Sequence, residues 1–447
     1  MKLFNDLKIK FEKEDWKRNT EFALIDSVLE MHPEIYMILK KDICGYEKYN
    51  NFGRKDTPSV EQIVRAAIFK EMKGLDYREL EYAQTDSRIC AAFIKLDDRK
   101  PFSFQMFQNY ISRIQVSNLQ KVLVLINKFS INAGFEDIEK ISQDTTVVKS
   151  NIHYPTNNSL VWDCIHESYR LLSQLKKEVD SFDYIDYTKT AKKTYFKINV
   201  IKSKDLRVEL FNKQLITFTK VINEVSNAIK KNFASDEAFL IQAILNSLLP
   251  LSQKVYDMTF LKEILGVSVP NDMKLFSIYE LHTDIIVKGS REVLFGHKIS
   301  LARGKSNLIL DCDVLRGNPS DKMLYQPVIE RIIANYNIIP RDSAGDGGYA
   351  CMENIIYSKE RGLVNIVFNK VVGSMQNIVS SLSMETRLKK WRGGIEAVIS
   401  NLKRGFNLQV CNWKGWRNFQ AKVLWSVIAY NFRVMTSLTL KQIALSK

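Results

Sequence analysis

The residues from Lys389 to Phe406, KKWRGGIEAVISNLKRGF, place one acid in a strongly basic setting. After Gly393-Gly394 the pattern predicts a helix, because Ile395, Val398, Ile399 and Leu402 recur at the spacing of a core-facing stripe. Arg392, Glu396 and Lys403 stack along one side of it. A lone carboxylate among Lys389, Lys390, Arg392, Lys403 and Arg404 suits metal or proton chemistry next to a polyanion. Taken alone, the stretch also reads as a solvated helix with one i,i+4 Arg–Glu pair. Two further acids bear on the choice. Asp144 lies inside Ile138–Val148, IEKISQDTTVV, which reads as a strand, and acids are depleted in strands. Asp342 and Asp346 lie in PRDSAGDGGY, whose glycines let the chain turn sharply into a helix. One acid on a first strand, one at the end of a later strand and one on a helix can converge at the edge of an open α/β sheet. Oxygen ligands without His or Cys suit Mg2+, or Mn2+ as the alternative, and not zinc. Two such ions about 4 Å apart serve in-line phosphoryl transfer.

The elements that must carry these residues follow from the chain in order. Residues 1 to about 50 are polar and helix-like. Thr57 is a candidate N-cap and Pro58 a first helical residue for an apolar-striped helix that ends at Gly74. Shorter helices are expected at Tyr77–Gln84, Asp86–Ile94 and Ser103–Ile114, the last carrying Gln105, Gln108, Asn109 and Arg113 on its polar side. Short helices ending in one rich in amide and Arg side chains suit a helix-turn-helix reader of DNA; a plain helical bundle accounts for them equally. After the Asp144 strand, His153 in the loop NIHYPTNNS is either a ligand or a hydrogen-bonded loop histidine. Helices at Val161–Val179, Leu215–Lys231 and Asp236–Leu249, the last capped by Ser235, suggest a separate helical unit. Strands return near Val293–Ala302 and Asn307–Leu315, then a helix at Lys322–Tyr336 and a strand at Leu363–Phe368.

Composition narrows the setting. With 447 residues, 45% of them hydrophobic, the chain can bury a full core and hold two or three domains. Six scattered cysteines without a CxxC pair point to a reducing, cytosolic compartment. MKLFNDLKIKFEKEDWKR is charged throughout and unlike a signal peptide. The apolar run at Val423–Phe432 is too short to span a bilayer, so no membrane partner is expected. The net charge is +15, and Glu385–Lys447 alone holds twelve Lys or Arg against two Glu. Trp391, Trp413, Trp416, Phe419 and Trp425 interleave with that charge. Phosphate affinity with a stacking surface, or simply a basic protein with an apolar last helix, are the two readings.

The blocks QDTTVVKSNIHYP, TDIIVKGSR with FGHK, GDGGY with EN, and GIEAVISNLKRGF with KGW and AYN resemble the DDE transposases of bacterial insertion sequences. The resemblance runs from about Thr57 to Met435. It implies an α/β fold: a ribonuclease H-like mixed sheet core with an α-helical N-terminal domain and an α-helical insertion after the first core strand. The limits it implies are a helical DNA-binding region at 1–135, a catalytic core at 136–159 plus 277–436, the insertion at 160–276 and a tail at 437–447. Carried over by position, the catalytic and metal-binding acids are Asp144, Asp346 and Glu396, with two Mg2+ as cofactor. Asp346 is preferred over Asp342 because the family's Asp directly precedes Gly-Gly-Tyr. Arg392 and Lys403 match the Arg and Lys of the family's Tyr-Arg-Glu-Lys signature, whereas Lys389 stands where the Tyr is expected. DNA contacts are expected at Arg392, Lys403, Arg404, Gln105, Asn109 and Arg113. The implied partners are double-stranded DNA, both element ends and target, and a second copy of the chain in the DNA complex. The implied activity is DNA cleavage and strand transfer. A nuclease of the same fold that cuts without joining, and an inactive DNA-binding descendant, are its rivals.

Overall fold

The computed structural model describes residues 19–45, 57–97, 99–288, 292–371 and 375–445. Outside them lie residues 1–18, read above as unlike a signal peptide, the end of the polar N-terminal stretch, Gly289-Ser290-Arg291 of the TDIIVKGSR block, and the last two residues. The chain divides into two compact units, residues 1–151 with 284–447, and residues 152–283.

The first unit is built on a mixed seven-stranded sheet. Its centre is β1 (Lys140–Ser150), where Ile141, Thr145, Thr146, Val147 and Val148 supply the branched side chains that suit a pleated surface. Two strands follow it in the chain: β2 (Asp284–Lys288) and β3 (Glu292–Arg303), the latter pairing antiparallel with both β1 and β2. β4 (Ile309–Val314) extends β3 antiparallel. On its other edge β1 runs parallel to β5 (Asp342–Gly345), and β5 runs parallel to β6 (Asn365–Phe368). The short β7 (Val410–Cys411) pairs with the end of β1. Neither β2 nor β7 stands out in the sequence as a separate strand.

Helices α1 (Thr20–Met31), α2 (Glu34–Cys44), α3 (Val60–Lys73), α4 (Tyr77–Asp86), α5 (Arg88–Ile94), α6 (Phe104–Ile111) and α7 (Val116–Asn132) precede the sheet. The expected start of α3 is corrected: Ser59 caps it, not Thr57. Ser59 Oγ accepts from Gln62 N–H at 3.1 Å and Gln62 Oε1 accepts from Ser59 N–H at 2.9 Å. That reciprocal box satisfies two end donors, where a Thr57 cap would satisfy one.

The second unit holds α8 (Asn157–Glu178), α9 (Thr188–Val200), α10 (Lys204–Lys230) and α11 (Asp236–Thr259) around its own apolar cluster. Ser235 caps α11, as its position suggests. His153 bonds Asp163 Oδ2 through Nε2 at 2.8 Å, the bland of its two readings.

The first unit closes with α12 (Asp321–Tyr336), α13 (Met352–Glu360), α14 (Leu382–Arg392), α15 (Gly394–Gly405) and α16 (Trp416–Leu445). One face of the sheet, including Val148, Ile299 and Leu301, shares a core with α1–α7, α15 and α16. The other face, including Ile141 and Ala302, packs on α12 and α13. Asn431 of α16 brackets the β4 backbone, accepting from Ile309 N–H at 3.0 Å and donating to Ile309 C=O at 2.9 Å.

Two expectations for the C-terminal region change. The 27-residue stretch Trp416–Gln442 is long and apolar enough by length and composition to cross a membrane, unlike the short run read from the sequence; 67% of its apolar window is buried in this fold. Phe419 and Trp425 are buried at 1% exposure and offer no stacking surface. Their rings fill the core because α16 runs through it.

Candidate active site

Asp144 and Asp346 are brought together by strand register. β1 and β5 pair in parallel from Lys140 with Asp342 to Gln143 with Gly345. The next residue on each strand is Asp144 on one and Asp346 on the other. Asp342 sits at the opposite end of β5, buried, where its Oδ1 accepts from Asn365 Nδ2 at 2.6 Å. A four-residue strand at about 3.3 Å per residue keeps Asp342 roughly 10 Å or more from the Asp346 end.

The third acid arrives on the helix pair α14–α15. Arg303 of β3 lies beneath the joint between them, its guanidinium 4.3 Å from the Trp391 ring centre and bonded to the Trp391 carbonyl. A Cβ at Gly394 would stand 2.6 Å from Arg303 Nη2, so the bare second glycine of WRGGIE leaves room for the guanidinium in this position. Ile395, Val398 and Leu402 then bury the apolar stripe, and Glu396 is left exposed.

Arg392, the last residue of α14, links the three acids. Its Nη2 lies 2.6 Å from Glu396 Oε1, and its Nη1 lies 3.9 Å from Asp144 Oδ2 and 3.8 Å from Asp346 Oδ1. The Arg392 side chain is 9% exposed, against 19% for Asp144, 55% for Asp346 and 63% for Glu396. With its oxygen turned to the guanidinium, the Asn369 amide accepts from Arg392 Nε at 2.8 Å. The guanidinium therefore stands where carboxylates of three different elements meet.

Burial pushes the Asp144 carboxyl up to about 6; the Thr145 N–H and Arg392 oppose the rise, and Asp346 and Asp321 add to it. The donors are all oxygen, which fits a hard divalent cation in kind. Among the described residues no three acidic, His or Cys side chains already stand as a formed metal site. The point of positive charge that Asp144, Asp346 and Glu396 share is Arg392.

Of the expected DNA contacts, Gln105 and Asn109 are exposed on α6, Arg113 is exposed just past its end, and Arg404 is exposed on α15. Lys403 is half-buried on the same helix. Arg392 is turned to the acids. Lys389, at the family's Tyr position, pairs with Glu385 at 2.7 Å.

Two residues near the acids are not among the expected site residues. Asp321 begins α12 and reads as an ordinary first-turn acid. Tyr349 of GDGGY is fully buried, and its hydroxyl has no hydrogen-bond partner among the described residues.

Residues 295–432 match the family model of the transposase DDE domain, which supports a DDE transposase of the insertion-sequence kind. No curated protein and no solved structure matches the chain.

Proposed function

We propose, on the premise that residues 295–432 carry the DDE domain of an insertion-sequence transposase, that the chain cuts the ends of its element and joins them to target DNA. The observation that carries this reading is the meeting of Asp144, Asp346 and Glu396 around Arg392. The strand path supports a ribonuclease H-like core: the antiparallel strands β1 to β4, then the short parallel pair β5 and β6, with Asp144 on β1, Asp346 just past β5 and Glu396 on α15. In this reading residues 1–135 bind DNA, 136–159 with 277–436 form the catalytic core, 160–276 are an insertion and 437–447 a tail.

Asp144, Asp346 and Glu396 would hold two Mg2+, or Mn2+, which supply positive charge at the phosphoryl group and at its attacking and leaving oxygens. Water cuts the phosphodiester at the element's end and leaves a 3′-OH. That hydroxyl then displaces a 3′-oxygen of the target strand. The ionised Asp144 is the acid most enclosed by protein, so it fixes the inner side of the site. Arg392, beside the three carboxylates, would act with Lys403 as a fixed positive charge for the neighbouring phosphate. Gln105, Asn109, Arg113 and Arg404 extend the contact with DNA. Joining requires two ends at once, which implies a homodimer on DNA. The protein acts in the cytosol.

The test uses a labelled duplex carrying the element's end, a plasmid target and Mg2+. The expected products are an end-specific nick and a labelled plasmid. Cleavage without a joined product would make the chain a nuclease, and binding without cleavage an inactive descendant.

A further inference from the structure

We propose that Asp321 is a positioning residue of the carboxylate site, holding both Asp144 and Asp346 in place from the opposite face of the sheet. The proposal rests on the reading of those acids as cation ligands. By the pleat of β1, Asp144 and Thr145 point to opposite faces. Asp144 faces α14, where Arg392 stands. Thr145 faces α12, and its Oγ1 donates to Asp321 Oδ1 at 3.2 Å. The Thr145 N–H donates to Asp144 Oδ1 at 2.7 Å. Asp321 thus grips the residue whose backbone orients the Asp144 carboxylate.

The other oxygen of Asp321 lies against the turn that follows Asp346. A Cβ at Gly348 would come within 2.9 Å of Asp321 Oδ2. Gly348 is two residues past Asp346, in the turn that ends β5. The bare glycine allows the Asp321 carboxylate to lie against that turn. Lys298 of β3 holds Asp321 in this place: its Nζ is 2.6 Å from Asp321 Oδ1 and donates to the Pro319 carbonyl at 2.7 Å. Lys298 is buried at 8% exposure, while the Asp321 side chain remains 27% exposed. The buried Tyr349 side chain feels the charges of Asp321, Asp144 and Asp346, which raise its hydroxyl further above the ordinary range after burial. Asp321 is therefore the point at which β1, β3, the start of α12 and the turn after β5 are tied together. Outer partners of metal ligands typically set affinity by about 10- to 100-fold.

The experiment titrates the full-length protein with Mn2+ by calorimetry and by electron paramagnetic resonance, without DNA, after thermal melts confirm folding. The variants are Asp321→Ala, Asp321→Asn, Gly348→Ala and, as control, Asp346→Ala. The expected result is an affinity loss of about 10-fold or more for Asp321→Ala and Gly348→Ala. Asp321→Asn, which keeps an oxygen to accept from Thr145, recovers most of it. An Asn variant as impaired as the Ala variant overturns positioning, because only charge would then matter. Wild-type affinity in Asp321→Ala, with Mn2+ lost in Asp346→Ala, overturns the proposal and leaves the metal reading standing. A wild type that takes no Mn2+ overturns both.

Discussion

Asp144 and Asp346 occupy equivalent positions on adjacent parallel strands, one residue beyond the last paired residues, Gln143 and Gly345. The interval between them in sequence is the interval of every pair in the β1–β5 ladder. Neighbouring strands lie about 4.8 Å apart, so the register alone holds the two acids in reach of a shared cation. Asp342 is in the ladder too, but at its far end.

Asp144→Ala, Asp346→Ala and Glu396→Ala are each expected to lower Mg2+-dependent cleavage of a labelled end by more than about 100-fold, a larger loss than that of outer partners. Binding of the end should persist, since in the proposed reading the acids hold cations and do not contact DNA. Asp342→Ala should instead act on stability, through loss of its buried bond to Asn365. Cleavage that survives in Asp346→Ala and is lost in a folded Asp342→Ala would exchange the two assignments.

The raised Asp144 value gives a signed pH dependence. The fold favours the neutral carboxyl, so its stabilising contribution is complete below the unfolded value near 4 and is lost as pH rises through about 6. Asp144→Asn cannot ionise and should be more stable than wild type at neutral pH, by about 3 kcal/mol. The advantage should vanish near pH ~4. Cleavage runs the opposite way and should fall as acidification through about 6 protonates the ligand. Melting curves and single-turnover rates across that range test both limbs.

In the proposed reading, Arg392 competes with cations for the same oxygens. Arg392→Ala should tighten Mn2+ binding to the free protein by roughly 5-fold, equivalent to about 1 kcal/mol for a partly exposed charge contact. It should also weaken binding of any DNA end. Looser Mn2+ binding in the variant would show that the guanidinium supports the site instead of filling it.

Lys403 stands two turns beyond Glu396 on α15. As one phosphate contact it should contribute about 0.9 to the slope of log K against log salt, equally for cognate and unrelated ends. Titration of wild type and Lys403→Ala over a salt series reads this directly, and equal slopes remove Lys403 from the DNA surface.

Glu71 of α3 lies buried between Lys422 and Lys70. Burial raises its carboxyl, but the two ammonium groups outweigh that and leave it below the ordinary range. Lys422 also donates to Ser426 Oγ at 3.2 Å and to the Phe406 carbonyl at 3.3 Å, which ties the end of α15 to α16 and α3. Lys422→Ala leaves a carboxylate buried beside a single cation and should cost about 3–5 kcal/mol. Urea denaturation at neutral pH measures the loss; a variant within about 1 kcal/mol of wild type would mean that water reaches Glu71.

Local signals in the sequence determined the features that depend on neighbours along the chain. The stripe of α15, the Ser235 cap, the strand around Asp144 and the glycine-rich turn after Asp346 all follow from periodicity and from residues a few positions apart. Those signals also gave three acids on three elements, but nothing local says which way a side chain turns once the elements meet. Arg392 looked like a phosphate contact beside Glu396, and only the arrival of β1 and β5 next to α14 makes it the shared partner of three carboxylates. Asp321 looked like any acid in a first helical turn; its meaning comes from Thr145 and Gly348, which reach it through the sheet. Phe419, Lys422 and Trp425 looked like parts of a basic, aromatic surface. The packing of α16 against α3 and β4 buries them, because an apolar helix inside a fold must exclude water along its whole contact face, charged residues included.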